Sequence, residues 1–108
     1  MDESRIRQAL VNLLSNAVQV SPEGRPPVAR VAKEGPRLVY TVRDFGPGLK
    51  DGERERIFEP FFTTRTHGTG LGLPVARRVV EMHGGTLDAD NHPEGGAVFR
   101  ISLPDGAN

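Results

Sequence analysis

The sequence contains no cysteine and no tryptophan. The lack of cysteine excludes disulfide bonds, thiolate catalysis and cysteine-ligated zinc, and it is typical of a reducing compartment. Charge of one sign is not in excess either, because 14 Lys and Arg residues balance 14 Asp and Glu residues. This neutral balance argues against non-specific binding to nucleic acid or to an anionic membrane surface.

Long apolar runs are also missing from the sequence. No run approaches the roughly 20 apolar residues that a transmembrane helix needs, and the polar beginning MDESRIRQ differs from a signal peptide. We therefore expect a cytoplasmic domain without direct membrane contact, even where a longer parent protein is anchored. The length of 108 residues predicts one domain, 1–108, with a single two-layer core.

The spacing of apolar residues predicts the order helix, two strands, long loop, helix, two strands. Helices are predicted over 2–20 and 70–83, with a short one within 51–58, and strands over 28–35, 37–44, 86–90 and 97–103. Four apolar residues lie on one face of the second long predicted helix: Leu71, Val75, Val79 and Met82. Helices that cover one face of a sheet form a two-layer α+β sandwich, here with a mixed, mostly antiparallel sheet.

A stripe of carboxamide side chains follows the first predicted helix. It comprises Gln8, Asn12, Asn16 and Gln19, which are spaced four, four and three residues apart, opposite the apolar face. Carboxamides both donate and accept hydrogen bonds, so this stripe can bind a polar ligand or hold a metal through its oxygens. The alternative is an ordinary solvated helix face.

A second candidate site is the segment RDFGPGL, residues 43–49. Asp44 ends a predicted strand, where its carboxylate can accept a hydrogen bond from an exocyclic amine such as that of adenine. Gly46 and Gly48 would let a ring approach the backbone. The alternative is a simple turn, since Asp, Gly and Pro are favoured turn residues.

The third candidate is IFEPFFTTRTHGTGLGL, residues 57–73. Three of the five phenylalanines in the chain lie here and predict an apolar latch: Phe58, Phe61 and Phe62. Arg65 and the glycines at 68, 70 and 72 precede a predicted helix, whose free N–H groups and dipole favour a phosphate. The alternative is a flexible hinge. The stretch is neither a P-loop nor the GxGxxG dinucleotide motif.

Together these blocks resemble the ATP-binding catalytic domain of sensor histidine kinases, in the superfamily shared with Hsp90, type II topoisomerases and a mismatch-repair ATPase. QALVNLLSNAVQ resembles the N box, DFGPGL the G1 box, IFEPFF the F box and GTGLGL the G2 box. The third candidate segment, residues 57–73, would be the lid over the nucleotide, and its short form is most similar to the lid of nitrogen-regulation-type kinases. The resemblance implies a Bergerat fold with a loop lid over the nucleotide.

The resemblance also implies roles for individual residues. Asn16 would coordinate Mg²⁺ bridging the ATP phosphates, with Asn12 in support. Asp44 would bind the adenine amine in a pocket shaped by Gly46 and Gly48. The residues implied to close over the phosphates are Arg65, Gly68, Thr69, Gly70, Leu71 and Gly72.

The residue at position 12, here Asn12, distinguishes ATP hydrolysis from phosphoryl transfer to a protein. Relatives that hydrolyse ATP carry a water-activating Glu one turn before the metal Asn, whereas Asn12 cannot act as a general base. The resemblance therefore implies phosphoryl transfer to a protein, catalysed mainly by positioning and charge stabilisation. Gln19 and Val20 depart from the basic residue and the Tyr of many members, which leaves Arg65 as the main expected cation at the phosphates.

The implied partners are ATP, an acceptor-histidine dimerisation domain of the same kinase and a response regulator receiver domain. None of the three histidines has the sequence neighbourhood of a phosphoacceptor, so we expect a fragment of a longer kinase that does not autophosphorylate alone. Two alternatives remain open: a stand-alone serine kinase of the anti-sigma type, and a non-catalytic, nucleotide-responsive interaction module.

Overall fold

The computed structural model describes residues 3–59 and 72–104. The element order matches the prediction, with boundaries that differ by only a few residues. The elements are α1 (Glu3–Val20), β1 (Val28–Glu34), β2 (Arg37–Arg43), α2 (Glu53–Arg56), α3 (Gly72–Met82), β3 (Thr86–Asn91) and β4 (Ala97–Pro104). The remainder of the predicted lid, residues 60–71, lies outside the described residues.

The described strands form one sheet in the order β1-β2-β4-β3, and each pairing is antiparallel. The predicted hairpin is confirmed: Val28 pairs with Arg43 and Glu34 with Arg37, across a turn at Gly35 with φ of 61°. β4 lies between β2 and β3, so the last strand joins the two halves of the sheet. The predicted two-layer α+β sandwich follows from this arrangement, because both long helices lie on one face.

The core lies between the helices and the sheet. α1 buries side chains at helical spacing, namely Ile6, Ala9, Leu13 and Ala17. Opposite them, the sheet contributes the buried side chains of Val42, Leu87, Phe99, Ile101 and Leu103. These alternate along each strand with residues on the other face of the sheet. Within 3–59 and 72–104, none of the helices combines the length and apolar character needed to cross a membrane.

The apolar face of α3 that the sequence pattern shows is not the face that the structure buries. The structure buries Ala76 and Val80, whereas Val75 and Met82 are 50% and 60% exposed and Val79 is half-buried. Leu71 lies outside the described residues. The difference has a physical reason: the neighbouring elements decide which stripe of α3 is buried, and here they bury the small side chain of Ala76. The sequence pattern weights large apolar side chains and therefore selects the neighbouring stripe.

Candidate functional site

Asp44 is the buried charged residue at the centre of the site, with 2% of its surface exposed. It directly follows β2, and its backbone N–H donates to the carbonyl of Ala97 at 2.9 Å. Its Oδ1 accepts hydrogen bonds from the backbone N–H groups of Gly46 and Ala97, both at 3.0 Å. Oδ2 accepts none from the described residues. Asp44 therefore presents one oxygen fixed by the protein and one free to accept from a ligand.

Gly46 and Gly96 are both required by close contacts around Asp44. A Cβ at Gly46 would lie 2.9 Å from the Val20 Cβ and from the Val20 carbonyl oxygen, at the end of α1. Gly96 has φ of 82°, and a Cβ there would overlap the Asp44 carbonyl oxygen. The sequence explained Gly46 by the approach of a ligand. The structure adds a contact within the protein that excludes a side chain at the same position.

Phe45, the residue after Asp44, is held by contacts of its own. Its N–H donates to the Ser21 Oγ at 3.0 Å. The guanidinium carbons of Arg25 and Arg43 lie 4.1 and 4.4 Å from the centre of its ring, within cation–π range. Arg43 also donates to the Gly95 carbonyl at 3.2 Å. These contacts fix the beginning of the loop that carries Gly46 and Gly48.

The end of this loop is fixed by Asn91, the last residue of β3. Asn91 Oδ1 accepts from the Leu49 N–H at 2.6 Å, and its Nδ2 donates to the Leu49 carbonyl at 3.0 Å. Next to it, Asp90 pairs with Arg54 of α2 at 2.7 Å. Sequence reasoning did not single out Asn91, because an Asn before the HPEGG turn has the ordinary composition of a turn.

The four residues of the carboxamide stripe differ in exposure and in hydrogen bonding. Gln8 and Gln19 are exposed, as a solvated helix face requires. Asn12 donates to the Gly72 carbonyl at 3.5 Å, at the beginning of α3. Asn16 has a buried Nδ2 atom without a hydrogen-bond partner in the described part of the chain. A buried amide left unpaired costs about 1–3 kcal/mol, and a solvated helix face would not leave one.

The two long helices run antiparallel and bring the predicted residues to one end of α1. A groove of about 330 Å³ lies between them, lined by Arg5, Gln8, Ala9, Asn12, Val75, Ala76 and Val79. Asn16 lies one turn beyond Asn12 and therefore past the beginning of α3. The end of α1 reaches Gly46 through Val20. α1 therefore contacts the beginning of α3 through Asn12 and the loop after Asp44 through Val20.

Phe58 of the predicted latch is buried, and it belongs to the hydrophobic core. The Arg77 guanidinium lies 4.5 Å from its ring centre and pairs with Glu55 at 3.0 Å. These contacts connect α2 and its following turn to α3. The predicted latch residues Phe61 and Phe62, and the predicted phosphate residues Arg65, Gly68, Thr69, Gly70 and Leu71, lie outside the described residues.

Comparison of sequences places the chain among sensor kinases. The chain is 39% identical over 103 residues to sporulation kinase A of Bacillus subtilis, covering 95% of this chain and 17% of the relative. It is 44% identical over 105 residues to the sensor histidine kinase ZraS of Klebsiella oxytoca, and the match covers 95% of this chain and 22% of that relative. The chain thus spans about a fifth of the length of these relatives.

Solved structures give the same result. The mycobacterial sensor histidine kinase MprB superposes with a TM-score of 0.90 at 36% identity, covering 96% of this chain and 72% of that one. Full-length ShkA in complex with AMPPNP superposes with a TM-score of 0.81 at 36% identity, covering 95% of this chain and 22% of that one. ThkA in complex with the response regulator TrrA superposes with a TM-score of 0.83 at 34% identity, covering 95% of this chain and 29% of that one. The family described as histidine kinase-, DNA gyrase B- and HSP90-like ATPase matches residues 1–107. The chain belongs to this family.

Proposed function

We propose that this domain binds Mg·ATP and donates the γ-phosphate to a histidine on a separate dimerisation domain, within a two-component signalling system. The observation that carries the proposal is Asp44, a buried carboxylate with Oδ1 fixed by two backbone N–H groups and Oδ2 open. Such a carboxylate can accept a hydrogen bond from the adenine amine in a dry pocket. The loop of residues 44–49 is called the adenine loop below.

Asn16 fits the role of a Mg²⁺ ligand. Its buried Nδ2 has no hydrogen-bond partner among the described residues, and its Oδ1 is an amide oxygen, a type of ligand that Mg²⁺ accepts. Mg²⁺ keeps several waters and binds through few protein groups plus substrate phosphates, so a single amide suffices here. When bound, the ion would neutralise phosphate charge. Asn16 would hold it next to the N-terminus of α3, which itself favours anions.

Asn12 supports transfer to a protein rather than to water. Its Nδ2 faces the Gly72 carbonyl, and an amide side chain has no basic atom with which to deprotonate water. The proposed acceptor is the histidine of a dimerisation domain belonging to the same kinase, at the cytoplasmic side of the cell. A response regulator is the proposed next acceptor, since the similar kinase ThkA forms a complex with TrrA. Arg65, Gly68, Thr69, Gly70, Leu71 and Gly72 are the proposed phosphate-covering residues.

Replacement of Asn16 by Ala is expected to remove the Mg²⁺ dependence of ATP binding. Loss of the amide ligand should weaken binding of Mg·ATP by at least about tenfold, because even indirect support of a metal ligand has effects of that size. Adenosine has no phosphates, so its affinity should stay unchanged. Isothermal titration with ATP, with and without Mg²⁺, measures the effect. Gln19→Ala, on the exposed part of the same helix, is the control, and an equal loss in both variants would contradict the assignment.

Phosphoryl transfer tests the reaction itself. The domain, labelled ATP and an acceptor-histidine dimerisation domain supplied in trans are expected to yield acid-labile phosphohistidine on the acceptor, with little free phosphate. The domain alone should remain unlabelled. ATP binding without transfer to any histidine acceptor would favour the nucleotide-responsive interaction module. Acid-stable phosphoserine on an anti-sigma antagonist would favour the serine kinase.

A further inference from the structure

The side chain of Asn91 makes the same kind of hydrogen-bond pair with the adenine loop that a neighbouring strand would make. Asn91 is the last residue of β3, which is an edge strand of the sheet that the described residues form. Its carboxamide forms both a donated and an accepted hydrogen bond with the backbone of one residue, Leu49, at 3.0 and 2.6 Å. Two neighbouring antiparallel strands exchange hydrogen bonds in the same reciprocal way. The side chain therefore attaches the loop to the sheet edge without an additional strand.

This attachment also explains Gly48. Its φ is 81°, and a Cβ at this position would lie 2.8 Å from Asn91 Oδ1. The glycine is therefore needed for the carboxamide to reach Leu49, independently of any ligand. Gly48 and Asn91 therefore depend on each other: the absence of a side chain at Gly48 leaves room for the carboxamide of Asn91.

Asn91 holds the end of the loop that the other anchors do not reach. Asp44 and Ser21 fix the loop through Gly46 and Phe45, at its beginning. Beyond Gly46, the reciprocal pair at Leu49 supplies the polar attachment. Gly46 and Gly48, the proposed walls of the adenine pocket, lie between the two sets of anchors. The position of these walls thus depends on Asn91 at one end and on Asp44 at the other.

We infer that Asn91 is a positioning residue for adenine binding, which acts by holding the adenine loop against β3 and touches no ligand itself. This inference rests on the proposed function. Because the adenine end alone is affected, loss of Asn91 should weaken ATP, ADP and adenosine equally. The dependence on Mg²⁺, which belongs to Asn16 at the phosphate end, should not change.

The test compares Asn91→Ala, Asn91→Asp and Asp88→Ala with the unmodified chain. Asp88 is exposed on the same strand and has no hydrogen bond or ion pair with the adenine loop. Asn91→Ala is expected to lower the affinity for all three adenine compounds by about three- to tenfold, from the loss of two hydrogen bonds. Asn91→Asp keeps an acceptor for the Leu49 N–H but opposes the Leu49 carbonyl, so it should not restore binding. Asp88→Ala should bind as the unmodified chain does.

Isothermal titration gives the affinities, with and without Mg²⁺, and thermal unfolding shows whether each variant is folded at the titration temperature. Equal losses for ATP, ADP and adenosine in a folded Asn91→Ala variant support the inference. Unchanged affinities, or a loss confined to ATP, would overturn it while leaving the proposed function intact. Failure of the unmodified chain to bind any adenine compound would overturn both. Full affinity in Asn91→Asp would also overturn the inference, because the reciprocal pair of hydrogen bonds with Leu49 would then not be what positions the loop.

Discussion

Asp44→Asn is expected to lower ATP affinity by about 30- to 100-fold, because a buried acceptor facing the adenine amine becomes a donor. The variant keeps the fold, since the amide oxygen of Asn can still accept from the Gly46 and Ala97 N–H groups. The Nδ2 group then takes the place of Oδ2. Two donors would face each other across the pocket, and one hydrogen bond to a charged acceptor would be lost. Isothermal titration at a fixed Mg²⁺ concentration measures the change.

Inosine triphosphate provides the matched control for this prediction. It carries a carbonyl oxygen where adenine carries its amine, so the unmodified Asp44 should reject it. Asp44→Asn should bind inosine triphosphate better than the unmodified chain does, and the preference for ATP should shrink or reverse. Asp44→Ala should instead lose affinity for both nucleotides and also lose stability, because the N–H groups of Gly46 and Ala97 lose their acceptor. An unchanged ratio of ATP to inosine triphosphate affinity in Asp44→Asn would contradict the proposed contact.

The fold was predictable because several independent signals agree along the chain. The EGP turn between two strands and the helical spacing of Ile6, Leu13 and Ala17 each predict an element that the structure contains. The face of α3 was not predictable, since the partner helix decides which stripe is buried. Ala76 carries a weak apolar signal in sequence and is fully buried in the structure. Packing between two helices is a property of both, and the pattern of one does not reveal it.

Asp44 and Asn16 could be selected from the sequence as candidate site residues, whereas the contacts around them could not be predicted. Within the carboxamide stripe, sequence spacing alone treats Asn16 and Gln19 alike, although one is buried without a partner and the other is exposed. Asn91 is 42 residues from Leu49 in sequence, and an Asn at the end of a strand carries no signal of so distant a contact. Gly96 and Asp44, which also make a close contact, are even further apart in sequence. Such contacts arise only when the loop and the β3–β4 turn meet across the sheet.

Gly96→Ala is expected to lower the free energy of unfolding by about 3 kcal/mol, the sum of backbone strain and an overpacked contact. Its φ of 82° is in the left-handed region, which side chains rarely adopt. The added Cβ would also overlap the carbonyl oxygen of Asp44. That oxygen belongs to backbone held by the Asp44–Ala97 hydrogen bond at 2.9 Å, so it cannot yield without breaking the pairing at the end of β2 and β4. Thermal unfolding should show a decrease of more than about 10 °C for a domain of this size.

Gly95→Ala, in the same turn, is the control that measures backbone strain without a steric contact. Gly95 has φ of 108°, but a Cβ there would meet no atom within 4 Å. Its substitution therefore costs only the strain, about 1–2 kcal/mol, and should leave ATP affinity nearly unchanged. Gly96→Ala should lose more stability and also weaken ATP binding, because displacement of the Asp44 backbone moves the carboxylate that we propose as the adenine acceptor. Equal losses in the two variants would show that strain alone governs the turn and that Asp44 does not depend on Gly96 for its position.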